Sequence, residues 1–413
     1  MALIRPFRAL RPKKEHGADV ASKPYDVISS DEARTEAQDK PLSFLHVIKS
    51  EVDLPKETHP YDPKIYAKAK ENLERFISDQ VLVQEDEPVL FLYRQIWQGR
   101  TQTGFGGCFS VREYEKNRIK KHEFTRKDKE DDRVNHILTT GAQTGQVFLA
   151  FRSKENTDEL IESLTQREVD YDFTDSEEAR HLLWIIRNPQ EVERIVSFFQ
   201  EIPELYIADG HHRAASSSRV CNIMASKNPK HNGSEEYNFF MAVAFPHTHL
   251  KILDYNRIIK GLNGWSFEGL INRITESFTV HAAPHSPYSP QNRHEFGMYC
   301  QGKWFCLKGK EAIVDESDPI LSLDVAILQN HLLNPVLGIE DPRTDSRISF
   351  IGGIRGLKAL QDEVDHNADI GFSLFPTSME ELLNVADAEQ VMPPKSTWFE
   401  PKLKSGLIIH RID

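Results

Sequence analysis

Between residues 205 and 245 the chain commits itself to a sheet with a helix laid on it. Leu205-Tyr206-Ile207-Ala208 is a short apolar run of the kind a buried strand makes, and it stops at Asp209. Five polar or turn-forming residues follow, Asp209-Gly210-His211-His212-Arg213, before Ala214 to Met224 takes on helical character. The loop Lys227 to Glu236, with two Asn, a Pro and a Gly, then leads to a second strand-like run, Tyr237 to Phe245. The order is strand, polar turn, helix, strand, in a chain whose strands and helices mix irregularly, and it predicts an α+β protein.

The flanking segments give a consistent picture. Ile65, Ala69, Leu73, Phe76 and Ile77 predict an amphipathic helix over Pro63 to Asp79. Val89 to Trp97 and Gly104 to Val111 read as a hairpin joined by a turn over residues 99–103. The spacing of apolar residues from Thr174 to Gln200 predicts two helices broken at Pro189. His46, Lys49 and Glu51 alternate with apolar neighbours as in a strand, while Trp304 to Leu307 and Ala312 to Val314 suggest another hairpin. A length of 413 residues suits two or three units. The expected division is a catalytic α+β core over 1–260, a further α/β unit over 261–387, and a C-terminal segment, 388–413, returning to the active site.

A net charge of -12 argues against bulk nucleic acid or an anionic membrane as the main partner. No apolar run approaches the roughly 20 residues of a bilayer-spanning helix, and Met1 to Lys14 lacks the apolar core of a secretory signal. Cys108, Cys221, Cys300 and Cys306 show no C-x-x-C spacing, so reduced thiols and a cytoplasmic location are expected.

Chemistry concentrates at the turn. A helix start offers open backbone N–H groups and a positive dipole end; Gly210 allows close approach, and Arg213 supplies a fork for phosphate oxygens. Asp209 is better placed to contact Mg²⁺ or to orient a histidine. The competing reading is a capping Asp, a turn Gly and solvated His and Arg. A second cluster, Lys121-His122-Glu123, sets a carboxylate beside an imidazole and so can take a proton from a hydroxyl, though a charged helix face would look the same. Pro393-Pro394-Lys395-Ser396-Thr397 offers a cation and two hydroxyls to an anion, or is a surface turn. His247 and His249 have the spacing of a metal pair, which keeps a metal-dependent hydrolase open. No G-x-x-x-x-G-K-[ST] string occurs, which excludes an ordinary P-loop kinase.

His122-Glu123, Asp209 to Arg213, and Pro394 to Thr397 together resemble, in the same order, the free L-serine kinases of the ParB/sulfiredoxin-like superfamily. The whole chain also resembles a larger bacterial family known by a domain-of-unknown-function label, with Lys23-Pro24-Tyr25-Asp26-Val27 as its N-terminal signature. The resemblance implies a mixed-sheet ParB/sulfiredoxin-like core elaborated by insertions and a further α/β unit. It implies a transferase that moves a phosphoryl group from pyrophosphate or ADP to the hydroxyl of free L-serine, giving O-phosphoserine, with Mg²⁺ as cofactor. Glu123 would be the general base, supported by His122. Gly210, His211, His212 and Arg213 would bind phosphate, and Asp209 would stand by the metal or the reacting oxygen. Lys395, Ser396 and Thr397, with Lys23, Tyr25 and Asp26, would bind substrate. Trp398-Phe399 follows the hydroxyl pair where a compact kinase of this type carries Arg-His. A homo-oligomer is compatible with this reading. The ParB side of the superfamily supplies an alternative, a nucleotide-binding switch.

Overall fold

The structure, a computed structural model, describes residues 3–413. They form two units: the chain up to Leu250 together with Pro401–Asp413, and Lys251–Glu400.

The first unit is built on a nine-stranded mixed sheet. In spatial order its strands are Ile119–Lys120, Leu205–Asp209, Val147–Phe151, Phe239–Pro246, Arg100–Ser110, Leu90–Trp97, Arg180–Ile186 and Tyr171–Thr174, with Ile4–Arg5 added beside Arg100–Ser110. Leu205–Asp209 runs parallel to Ile119–Lys120, and Phe239–Pro246 parallel to Val147–Phe151; the other neighbours are antiparallel. The helix His211–Lys227 packs Ala214, Ala215 and Val220 into the core of this sheet. Pro189–Gln200, capped by the Asn188 side chain, buries Phe198 and Phe199 against Phe105 and Phe151. Aromatic edge contacts of this type add to the burial of large rings.

Local chemistry explains where expectation and structure part. The first hairpin turns on two residues, Gln98 (φ +49°) and Gly99 (φ +73°), as a twisted two-residue turn demands, so Arg100–Thr103 are strand rather than turn. Thr174 to Ile186 is not helical: Tyr171–Thr174 and Arg180–Ile186 form an antiparallel pair. The unbroken run Leu182-Leu183-Trp184-Ile185-Ile186 fits a helical spacing by accident because a strand buried on both faces has no period of its own. Phe44 to Glu51 is the reverse case, since Leu45–Ile48 is a helical turn followed by a 3-10 turn, Ser50–Asp53. The predicted helix at Pro63 is present as Pro63–Ser78, started by the Asp62 side chain.

The second unit carries a six-stranded antiparallel sheet in the order Phe278–Ala282, Lys303–Gly309, Glu295–Cys300, Ile370–Leu374, Tyr255–Ile259, Ile348–Gly352. It begins at Lys251 rather than 261 because Tyr255–Ile259 pairs within its sheet, and it reaches Glu400 rather than 387 because Trp398–Phe399 pairs with Ile252–Leu253. Trp304 to Leu307 pairs with Glu295–Cys300, while Glu311–Ile313 is a 3-10 turn, not a partner strand. All four cysteines are free thiols. Among the described residues no helix is long and apolar enough to cross a membrane.

Candidate active site

A parallel pair of strands brings two distant strings to one place. Leu205 is opposite Ile119 and Tyr206 is opposite Lys120, so both chains leave the sheet at the same end. Three residues beyond Tyr206 is Asp209; two and three beyond Lys120 are His122 and Glu123. Gly210 then turns the chain with φ +92°, a conformation a side chain makes costly, and the helix His211–Lys227 begins with no side chain capping it. The N–H groups of His211 and His212, in the first turn, have no carbonyl of their own helix to bond.

The two histidines hold the loop that carries Glu123. The His122 N–H donates to His211 Nε2 at 3.5 Å, and the Arg126 N–H donates to His212 Nε2 at 3.0 Å. With Nε2 of His211 accepting, its proton resides on Nδ1, which faces Glu123 Oε2 at 3.8 Å. Burial, reinforced by His122 alongside, pushes the His211 pKa well below that of a free imidazole, so the ring is neutral. The Glu123 side chain stays 44 % exposed. His122 lies edge-on to His211, with ring centroids 4.5 Å apart. Both its ring nitrogens are buried without a hydrogen-bond partner among the described residues.

Opposite charges stabilise the other side of the turn. Lys402 Nζ lies 3.3 Å from Asp209 Oδ2, brought there by the last thirteen residues, which rejoin the first unit through Ser405 with Ser22 and Ile409 with Leu10. Burial works against the Asp209 carboxylate, but Lys402 and Arg213 hold its pKa well below the usual range. Arg213 is 8 % exposed and is already engaged: Nη2 bonds both carboxylate oxygens of Asp26, at 2.8 and 2.6 Å, and Nη1 bonds the Gln146 carbonyl at 2.7 Å. Tyr25 packs its ring against Arg133 and Arg213, at 4.0 and 5.7 Å from their guanidinium carbons.

The residues expected at the site therefore separate into groups. Glu123, His122 and Asp209 to Arg213 meet around one turn, and Asp26 and Tyr25 stand beside Arg213. Lys23 turns to Glu36 and Glu177 at 3.3 and 3.2 Å. Lys395, Ser396 and Thr397 belong to the second unit, where Ser396 Oγ donates to the Pro393 carbonyl and Lys395 Nζ lies 5.5 Å from the Tyr255 ring centre. Lys402 was not foreseen, because nothing in the spacing of the chain joins residue 402 to 209. His247 and His249 form a 3-10 turn rather than a strand pair. His247 Nδ1 accepts from the Ser153 N–H, and His249 is held by the Thr103 N–H and Asp158.

Among the described residues no group of three or more His, Cys, Asp or Glu is gathered to hold a metal ion. Mg²⁺ commonly needs one or two carboxylates plus substrate phosphates. Asp209 supplies one, and it faces Lys402 Nζ.

Burial of the neutral histidines also has a stability consequence. His122 and His136 are each pushed down to about 4 by burial, against about 6.5 in an unfolded chain. Between those values the unfolded chain binds protons that the folded chain refuses. Stability is therefore complete above about pH 6.5 and is lost as pH falls toward 4, by roughly 3 kcal/mol per histidine at about 1.36 kcal/mol per pH unit. Chemical-denaturation midpoints measured from pH 7 to pH 4 should fall steeply in that interval; a flat profile would show that these rings are not held neutral.

A family model described as a protein of unknown function, DUF1015, matches residues 4–326. No curated protein matches the chain in sequence. Among solved structures, a free serine kinase in complex with AMP is 14 % identical with a TM-score of 0.36, over 71 % of this chain and 86 % of that one. A conserved hypothetical protein from Pyrococcus furiosus is 14 % identical with a TM-score of 0.34, over 71 % and 90 %. SbnI with a C-terminal truncation, from Staphylococcus aureus, is 11 % identical with a TM-score of 0.37, over 71 % and 82 %.

Proposed function

The chain belongs to the DUF1015 family of proteins of unknown function, and from the chemistry of its polar turn we propose that it is a small-molecule kinase whose phosphoryl acceptor is free L-serine. The donor is a diphosphate, pyrophosphate or ADP, and the mixed sheet that carries the turn is a ParB/sulfiredoxin-like core. One observation supports this reading above others. A carboxylate suited to be a base, Glu123, stands at the same sheet end as an uncapped helix start, with a neutral His211 between them.

The reaction follows from those groups. The N–H groups at the helix start receive oxygens of the transferred phosphate, where the positive end of the helix dipole offsets their charge. The serine Oγ attacks phosphorus while its proton passes to Glu123. The new Oγ–P bond forms as the bridging P–O bond breaks, and phosphate leaves when pyrophosphate is the donor, or AMP when it is ADP. Transfer of this kind needs positioning and charge neutralisation more than covalent help from the protein.

Phosphorus NMR with L-serine, Mg²⁺ and, in turn, pyrophosphate, ADP and ATP tests the proposal. Phosphoserine should appear with pyrophosphate or ADP. Orthophosphate without phosphoserine would instead indicate a hydrolase, and a nucleotide retained intact without turnover would indicate a binding switch; either overturns the kinase.

A further inference from the structure

Beside Arg213 lies a small cavity, of about 30 Å³, whose lining joins Arg133, Arg213 and Ser405, with Gly145, to the apolar Ile48 and Ile137. Arg213 contributes its one uncommitted nitrogen: Nε is buried and has no hydrogen-bond partner among the described residues. A buried guanidinium N–H left without an acceptor is costly, and such a group is normally satisfied by something that binds there. Beside it Gly145 leaves a gap. A Cβ at that position would stand 3.8 Å from Arg213 Nε and 3.8 Å from Ser405 Oγ, with nothing nearer than 3.6 Å. Both donors border this gap.

Resting on the kinase reading, we infer that the gap between Arg213 Nε, Gly145 and Ser405 is the seat for the carboxylate of the acceptor amino acid, with Asp26 receiving its α-ammonium. Charge favours a zwitterion. The guanidinium offers Nε on one side, while Asp26, bound to Nη2, keeps its carboxylate 31 % exposed for a cation. A free amino acid presents these two charges one carbon apart. The arrangement accounts for the Asp in the Lys23-Pro24-Tyr25-Asp26 turn as a substrate contact acting jointly with Arg213. It also gives the returning C-terminal segment a part in recognition through Ser405.

Gly145→Ala is the direct test, because its methyl would sit at ordinary contact distances and yet fill the seat. Calorimetric titration should show L-serine binding to the unmodified protein without any donor, and ethanolamine, which lacks the carboxylate, binding far more weakly. Gly145→Ala should weaken L-serine about tenfold or more, the loss expected for one charge-assisted hydrogen bond, while pyrophosphate affinity and thermal midpoint stay unchanged. Ser405→Ala, which removes only a hydroxyl, should weaken L-serine in the same direction. If Gly145→Ala weakens pyrophosphate and spares L-serine, the seat belongs to the donor and the inference fails. Phosphoserine formation with an unchanged KM for L-serine in both variants would also overturn it while leaving the kinase intact. No binding of L-serine and no phosphoserine from the unmodified protein would remove the kinase reading itself.

Discussion

Glu123→Gln should lower the rate of phosphoserine formation by about 10²- to 10⁴-fold, the range a positioned general base contributes. The substitution keeps the side chain's length and its ability to face His211 Nδ1, and removes the capacity to take the serine proton. Donor binding should therefore survive, because the helix-start N–H groups and the rings of His211 and His212 are untouched. The loop keeps two anchors, the His122 and Arg126 N–H groups bonded to the two histidine rings. Single-turnover rates, read beside pyrophosphate affinity from calorimetry, separate the outcomes. A large loss of rate with unchanged affinity assigns the proton to Glu123. Near-full turnover would remove it from that role, and an equal loss in both would make it a structural residue of the loop.

What the sequence disclosed about this site was the part encoded locally. An apolar run ending at Asp209, a glycine with nothing else suited to φ +92°, and a helix opening on small residues are all neighbours along the chain, so the strand, turn and helix at 205–227 are legible without coordinates. The meeting of Glu123 with that turn rests on a two-residue parallel pairing, Ile119–Lys120 with Leu205–Tyr206, too short to announce itself by composition. Its presence in the sequence came only through the shared order of motifs. Lys402 was invisible for a different reason: Pro401–Asp413 belongs to the first unit although 150 residues of the second precede it, and no local pattern records such a return. Arg180–Ile186 was misread because a strand buried on both faces offers spacing without period. The same limit applies to Arg213. Its identity pointed to anions, but only the fold reveals that Asp26, 187 residues earlier, already claims its Nη2 and the Gln146 carbonyl its Nη1.

That claim sets the second large effect. Asp26→Ala should destabilise the protein by about 2–3 kcal/mol, below the 3–5 kcal/mol of a fully buried pair because the Asp26 side chain is 31 % exposed. The cost comes less from the lost attraction than from what remains, a guanidinium 9 % exposed that keeps its charge, has lost its hydrogen-bonded carboxylate and is left with Asp209 as its anionic neighbour. At about 2–4 °C per kcal/mol for a unit of this size, the thermal midpoint should drop by roughly 5–10 °C. The origin of the loss can be tested by removing the charge as well. Arg213→Met retains an unbranched stem in the same space, so the double variant Asp26→Ala/Arg213→Met should be more stable than Asp26→Ala alone, a coupling opposite in sign to simple addition. Catalysis should not return with that stability, because the double variant lacks both the ammonium acceptor and the carboxylate donor of the proposed amino-acid seat. A double variant less stable than the single would mean that the Arg213 contact to the Gln146 carbonyl outweighs its unpaired charge, and the pair would then be a structural clamp first. Recovery of L-serine turnover along with the midpoint would break the link between this ion pair and substrate recognition.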